Sequence, residues 1–289
     1  DVLINPADGA MYFILGGRRV QSGVYRVTYV GKESTAPAAA NTAGQKMRDQ
    51  RKALETHLQK GAKRASGKQL NTIWQALGSS DRGIRHAARV ALEKQPVSKW
   101  RGRLTAEKNP WVATAAMMAL ARVDGKQSSR TIQERIMQVD LNNVDNLQLR
   151  FDYLRALTLS LTRGGNPTPH FGLELIDWLD GVYPAQTVQE NRDLSAIMQS
   201  LQAPSAAKKG MALLREASGQ EEQIGYALNL RHVKTGWTPQ LREQYFRWFV
   251  LAGGYSGGAR LGKYLADVKK HAIASIPETD MTPALTTII

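Results

Sequence analysis

The residues of this 289-residue chain with chemistry to offer are five histidines, one close aspartate pair, two glycine-rich stretches and a dense run of arginines and lysines. His57, His86, His170, His232 and His271 never fall at i, i+4 spacing, and no HExxH occurs. Histidines so scattered do not predict a zinc or iron site. Asp177 and Asp180 stand three apart in ELIDWLDG, a spacing open to acid–base work or cation binding. Their place just before Gly181 favours the polar face of a helix end. Gly16-Gly17-Arg18-Arg19 has the parts of an anion cradle, but it lies between two β-rich runs and reads as a turn. Gly253–Gly258 follows a helical stretch and lacks the Gly-Lys-Ser/Thr ending of a phosphate loop. It is expected to break two helices, with left-handed dihedrals and close packing as the reasons for glycine. No GxSxG is present, and no Ser/His/Asp set assembles. The absence of cysteine excludes disulfides, thiolate zinc sites, iron–sulfur clusters and covalently attached haem. The expectation is a chain with no catalytic residues, no metal and no cofactor of its own.

Charge gives the one positive signal. The net charge is +14, and residues 41–110 alone hold 16 basic against 5 acidic side chains. A field so localised attracts anionic partners, although a solvated helix surface explains most such runs. The candidate anion- or partner-binding set is Arg82, Arg85, Arg89, Arg101 and Arg103. Stacked helices would merge some of the basic side chains between Lys46 and Lys108 into one positive surface that docks an acidic protein face or an acidic glycan, with nucleic acid as the weaker expectation. Of the six tryptophans, Trp74, Trp100, Trp111, Trp178, Trp237 and Trp248, most sit beside aliphatic residues and read as core. Trp100 in KWRGR is the one aromatic interleaved with basic residues, the pattern of an exposed stacking platform.

The elements that must position these residues change character along the chain. Residues 10–15 (AMYFIL) and 23–30 (GVYRVTYV) are rich in β-formers, the second with strict alternation, and GGRRVQS between them predicts a hairpin. A lone hairpin is marginal in water, so it must pack on something else. STAPAAANTAGQ, residues 34–45, reads as a linker. Helical periodicity then takes over. DRGIRHAARVALEK from Asp81 matches NPWVATAAMMALARV from Asn109 at an offset of 28, pairing Ile84 with Val112, Ala88 with Ala116, Ala91 with Ala119 and Leu92 with Leu120. Each copy opens on a good N-cap, and Pro110 occupies a tolerated first-turn position. Weaker copies follow at 146–161, 191–202 and 221–233, with intervening helices over 46–60, 68–78, 130–139, 171–180, 205–217 and 238–252. Imperfect repetition of helix pairs predicts an all-α fold, a HEAT-like α-solenoid forming a right-handed superhelix, with a short N-terminal β-hairpin. A compact helical bundle is the alternative. The boundaries expected are a hairpin over 1–33, a linker over 34–45, helical repeats over 46–270 and a C-terminal linker or tail over 271–289. No apolar run reaches the roughly 18–20 residues that span a bilayer. The chain opens on Asp without a signal-peptide pattern, which suggests a processed product or an excised piece.

Three segments together carry a resemblance. DGAMYFILGGRRVQSGVYRVTYVGKEST (8–35) resembles the closing blade of the sugar-dehydrogenase-like β-propeller in large multidomain proteins of planctomycetes and their relatives, usually labelled membrane-bound dehydrogenases or haem-binding proteins. SDRGIRHAARVALE (80–93) resembles the first HEAT helix of that family, and EEQIGYALNLRHVKTGWTPQLREQYFRWFVLAGGYSGG (221–258) the end of its helical region. The resemblance implies that the hairpin is the remnant of a propeller blade. It further implies a scaffold linking a propeller to a cytochrome domain in an exported, periplasmic redox protein. The haem-attachment motif of that family is missing here, so its redox role transfers to no residue of this chain.

Overall fold

A computed structural model describes residues 2–17, 20–36, 39 and 42–289, so Arg18 and Arg19 of the glycine–arginine turn lie outside the described residues. The chain divides between Gln45 and Lys46 into two compact units. It is mostly helical, at 63%, with one small antiparallel sheet.

The first unit is that sheet. It has three strands where the hairpin reading expected two: β1 (Val2–Ile4), β2 (Met11–Gly17) and β3 (Val20–Val27), in the order β1-β2-β3. Val2 faces Phe13, and Phe13 faces Tyr25, whose ring stacks on it at 5.4 Å. The β1–β2 turn is pinned by Asp8, which accepts from the Tyr12 hydroxyl at 2.7 Å and pairs with Arg26 at 3.3 Å. β1 escaped sequence reading because three residues ending at Asn5-Pro6 are too short for a period-2 signal. Among the described residues of this unit only Ala10 is buried; Val2, Ile14 and Val24 are each about two-thirds exposed or more, at 66%, 66% and 73%. Side chains that alternate across the pleat therefore leave both faces of the sheet apolar and open.

The second unit holds the core. Its helices are α1 (Gln45–Glu55), α2 (Gly67–Ala76), α3 (Arg82–Glu93), α4 (Pro110–Met137), α5 (Leu147–Gly164), α6 (Pro169–Asp180), α7 (Val188–Ser200), α8 (Ala206–Glu216), α9 (Gln220–Leu230), α10 (Pro239–Ala252), α11 (Leu261–Ala274) and α12 (Pro283–Ile288). α4 breaks at Asp124, whose φ of −141° is not helical, so the helix expected over 130–139 is the second half of α4. The N-terminal amides of α3, α4, α5 and α7 are satisfied in the same way, since Asp81, Asn109, Asn146 and Thr187 all accept from the following first turn, whereas Thr168 makes no such bond to α6. The inward stripe is as the 28-residue match requires: Ala88 and Ala116 are both fully buried, as are Ala91 and Ala119. α3 packs on α4, α4 on α5, α5 on α7, α7 on α9 and α9 on α11, while α2, α6, α8 and α10 pack against these and on neighbours of their own.

Ion pairs stitch the sequence of helices. Glu93 on α3, nearly buried, pairs with Arg89 of its own helix and with Arg122 of α4 at 3.0 Å. Arg150 of α5 reaches the buried Glu190 of α7 at 2.5 Å. Asp180, half of the aspartate pair noted above, ends α6 and is bound by Lys209 of α8 at 2.8 Å and by the Ser205 hydroxyl at 2.5 Å. Lys209 also caps the Asp180 and Tyr183 carbonyls, while Asp177 is exposed. The two carboxylates therefore serve different ends and form no acid–base dyad.

Residues 271–289, read from the sequence as a tail, include the end of α11 and the whole of α12, which packs on α10. Leu285 is buried, and the nearly buried Arg242 of α10 donates to Asp280 at 2.8 and 3.2 Å. Ala272, Ile273, Ile276, Ile288 and Ile289 pack with Leu285 on the core, an apolar set interrupted by prolines that shows no helical period across the whole segment. Gly253 to Gly258 separate α10 from α11 as expected, but none has a positive φ. Close packing alone explains Gly257, where a Cβ would come within 2.6 Å of the Leu261 side chain.

Candidate functional site

The cationic residues chosen from the sequence line two separate grooves, with Arg101 in neither. Arg82, Arg85 and Arg89 line one groove of about 290 Å³. Arg103 lines a second, of about 420 Å³, with Arg64, Lys99 and Gln95, and Arg101 lines neither. The split follows from the chain between α3 and α4. It winds through short 3-10 turns at Val97–Lys99 and Arg101–Ala106 that turn Trp100 inward. Trp100 is fully buried against Trp74 and donates to the Gln95 carbonyl at 3.3 Å, so it is core and not a stacking platform. Arg103 lies over the Trp74 ring at 5.7 Å, and Arg101 approaches Asp124 at 3.9 Å.

The first groove is built by three consecutive members of the helix series. α3 supplies its arginines and His86 at i, i+3, i+4 and i+7, one flank of the helix beside the buried alanine stripe. α4 supplies Trp111 and Met118, and α5 supplies Gln148 and Asp152. Several of the groove residues are held. Arg85 donates from Nη1 to the carbonyls of Ser79 at 2.7 Å and Ser80 at 3.0 Å, and its guanidinium lies 4.8 Å from the centre of the Trp111 ring. Arg89 is tied to Glu93, and its Nη2 stands 3.3 Å from His86 Nδ1, which makes that nitrogen the acceptor. Asp152 accepts from Gln148 Nε2 at 3.0 Å. Partial burial pushes the Asp152 carboxyl above its ordinary value, and Arg85 and Arg82 pull it partly back. Arg82 is exposed, and among the described residues it has no acidic partner within ion-pair distance.

The groove brings several hydrogen-bonding and aromatic groups together. It offers a free guanidinium, a second one with donors to spare, a partly exposed indole, a planar amide and a carboxyl. No hydroxyl nucleophile lines it, and the imidazole faces a guanidinium rather than a group it could deprotonate. Among the described residues no three His, Asp or Glu side chains gather to hold a metal, and no helix is long and apolar enough to cross a membrane. Sequence reasoning found the α3 arginines but missed Trp111, Gln148 and Asp152. The 28-residue match held a hint of Trp111, for it sets this residue opposite Gly83, beside Arg82 and off the buried stripe.

No family model, curated protein or solved structure matches this chain.

Proposed function

We propose that residues 46–289 form a HEAT-like α-solenoid that acts as a non-catalytic interaction module, docking an anionic partner on the face headed by the α3–α4–α5 groove. The observation that carries the reading is the order of packing: α3, α4, α5, α7, α9 and α11 each contact the next of the series, with the intervening helices set against them. Stacked in this way, helix pairs that cannot bury a core alone share one, and they offer an extended surface for partners. The groove places three arginines of α3 on that surface, with side chains of α4 and α5 completing its walls.

Two measurements test this. Small-angle scattering of residues 46–289 should give an elongated particle; a radius of gyration near the roughly 18 Å expected for a compact domain of that length favours the bundle instead. Titration with an acidic polysaccharide and with a DNA duplex, at low and moderate salt, should show binding that weakens with salt, since screening acts within about 8 Å at physiological ionic strength. Reversing the charge at Arg82, Arg85 and Arg89 together should abolish it. Absence of binding to either polymer at low salt removes the docking role and leaves a solvated surface. The connector role in an exported redox protein rests on the resemblance of residues 8–35 and 221–258. Reading frames that flank this chain with a propeller before it and a CxxCH after it would support that role, and frames encoding neither would end it.

A further inference from the structure

We propose that the α3–α4–α5 groove is a subsite for a single uronic-acid residue, a pyranose ring carrying one carboxylate, within an acidic glycan. The inference rests on the docking role above and specifies its ligand.

The charge balance of the groove decides between classes of anion. Three guanidinium groups line it, but Arg89 is tied to Glu93, which it shares with Arg122, and Asp152 stands on the wall opposite Arg82 and Arg85. What remains suits one negative charge. A nucleic-acid backbone is gripped differently, through several phosphates at once, each needing its own cation. It would also bring a row of phosphates past the Asp152 carboxyl, where Arg82 and Arg85 can offset the repulsion of one anionic group but not of several. A sugar hydroxyl, by contrast, is a donor that a carboxylate accepts well.

The walls match the parts of such a ring. Arg82 is exposed and uncommitted among the described residues, so its planar fork is free to take a carboxylate in two parallel hydrogen bonds. Arg85 is fixed by the Ser79 and Ser80 carbonyls through Nη1 alone, which leaves the rest of its guanidinium to share that charge. Trp111 lies beside them, the Arg85 guanidinium 4.8 Å from its ring centre, and the part of the indole left exposed can meet C–H groups of a pyranose. Gln148 and Asp152, already oriented by their mutual hydrogen bond at 3.0 Å, present an amide and a carboxyl to the ring hydroxyls. The volume, about 290 Å³, lies at the lower end of the roughly 300–1,000 Å³ of small-ligand sites, enough for one sugar unit with its neighbours extending into solvent.

The test is calorimetric titration of the whole chain with trigalacturonate, its neutral counterpart trigalactose, and a DNA duplex. Trigalacturonate should bind, trigalactose at least about tenfold more weakly, and the duplex only at low salt. Arg82→Ala should weaken trigalacturonate at least about tenfold, the loss expected for a charged hydrogen-bonding partner, with Arg82→Lys intermediate. Trp111→Phe keeps the buried side of the residue filled and should weaken binding less. Gln148→Ala should weaken trigalacturonate while leaving the duplex unaffected, a difference that a general loss of fold would not produce. If the duplex binds and trigalacturonate does not, the sugar assignment is wrong while the docking role stands. If equal affinity is found for trigalacturonate and trigalactose, the carboxylate has no role and the inference fails. If nothing binds, both fall.

Discussion

At Asp152 a carboxyl is moved by folding from water to a half-buried wall, and its affinity for a proton rises. The folded chain therefore holds a proton there at pH values where the unfolded chain, with an ordinary Asp, has released it. The sign follows from linkage: stability is undiminished below the ordinary value, falls as pH rises through the folded value, and stays lowered at neutral pH. Asp152→Asn, which keeps the shape and removes the charge, should raise the melting temperature at pH 7. That gain should close below about pH 4, where Asp is protonated in both states. Calorimetric melts of the two proteins at pH 7 and about pH 3.5 check it, and an equal gain at both values would show that charge is not the cause. Asp193 on α7 is raised by burial in the same direction, with Arg155 opposing, so the cost is shared by more than one wall of this helix series.

Between elements, one backbone position is decisive. Gly236, in the turn from α9 to α10, has φ +72°, and a Cβ there would stand 1.8 Å from the Pro204 carbonyl oxygen. Gly236→Ala combines a disfavoured dihedral with a clash against main chain and should cost about 2 kcal/mol or more by urea denaturation. Gly102→Ala, where a Cβ meets open space, should be close to neutral. The clasp between α10 and the C-terminal segment makes a similar case. Asp280→Ala leaves the guanidinium of Arg242, 3% exposed, without its carboxylate. The loss should be about 2–3 kcal/mol, below the usual range for a fully buried pair because Asp280 itself reaches solvent. Such interactions mark the limit of what the sequence shows. Ala88, Ala116, Leu157 and Leu194 announce their burial through spacing, because one helix period is enough to set it. Asp280 does not, because its partner lies 38 residues away on another helix. Trp100 is a similar case: the basic residues beside it do not decide its burial, which the 3-10 turns around it set through tertiary fit.

Taken whole, the chain joins a unit with a large continuous core to one with almost none. The helical unit buries its apolar residues from Leu54 to Leu285 within itself. Residues 46–289 expressed alone should therefore keep the full helical circular-dichroism signal of that region and a cooperative melt. Loss of helicity on removing residues 1–45 would show that the sheet is required. The sheet makes a different demand. Its outer strands β1 and β3 have no neighbour beyond them among the described residues, and β1 is Val-Leu-Ile with no charge, proline or bulge to blunt it. Such an edge leaves unpaired backbone groups open to another strand over the three residues of its length. In a concentrated solution of this chain by itself, copies should add edge to edge, with light scattering that grows with protein concentration. Leu3→Lys, a gatekeeper charge on that edge, should suppress the growth without altering the helical melt. Handling this protein is thus a colloidal problem posed by a few dozen residues at its front, and salt that weakens charge repulsion between the strongly basic molecules should make the growth faster.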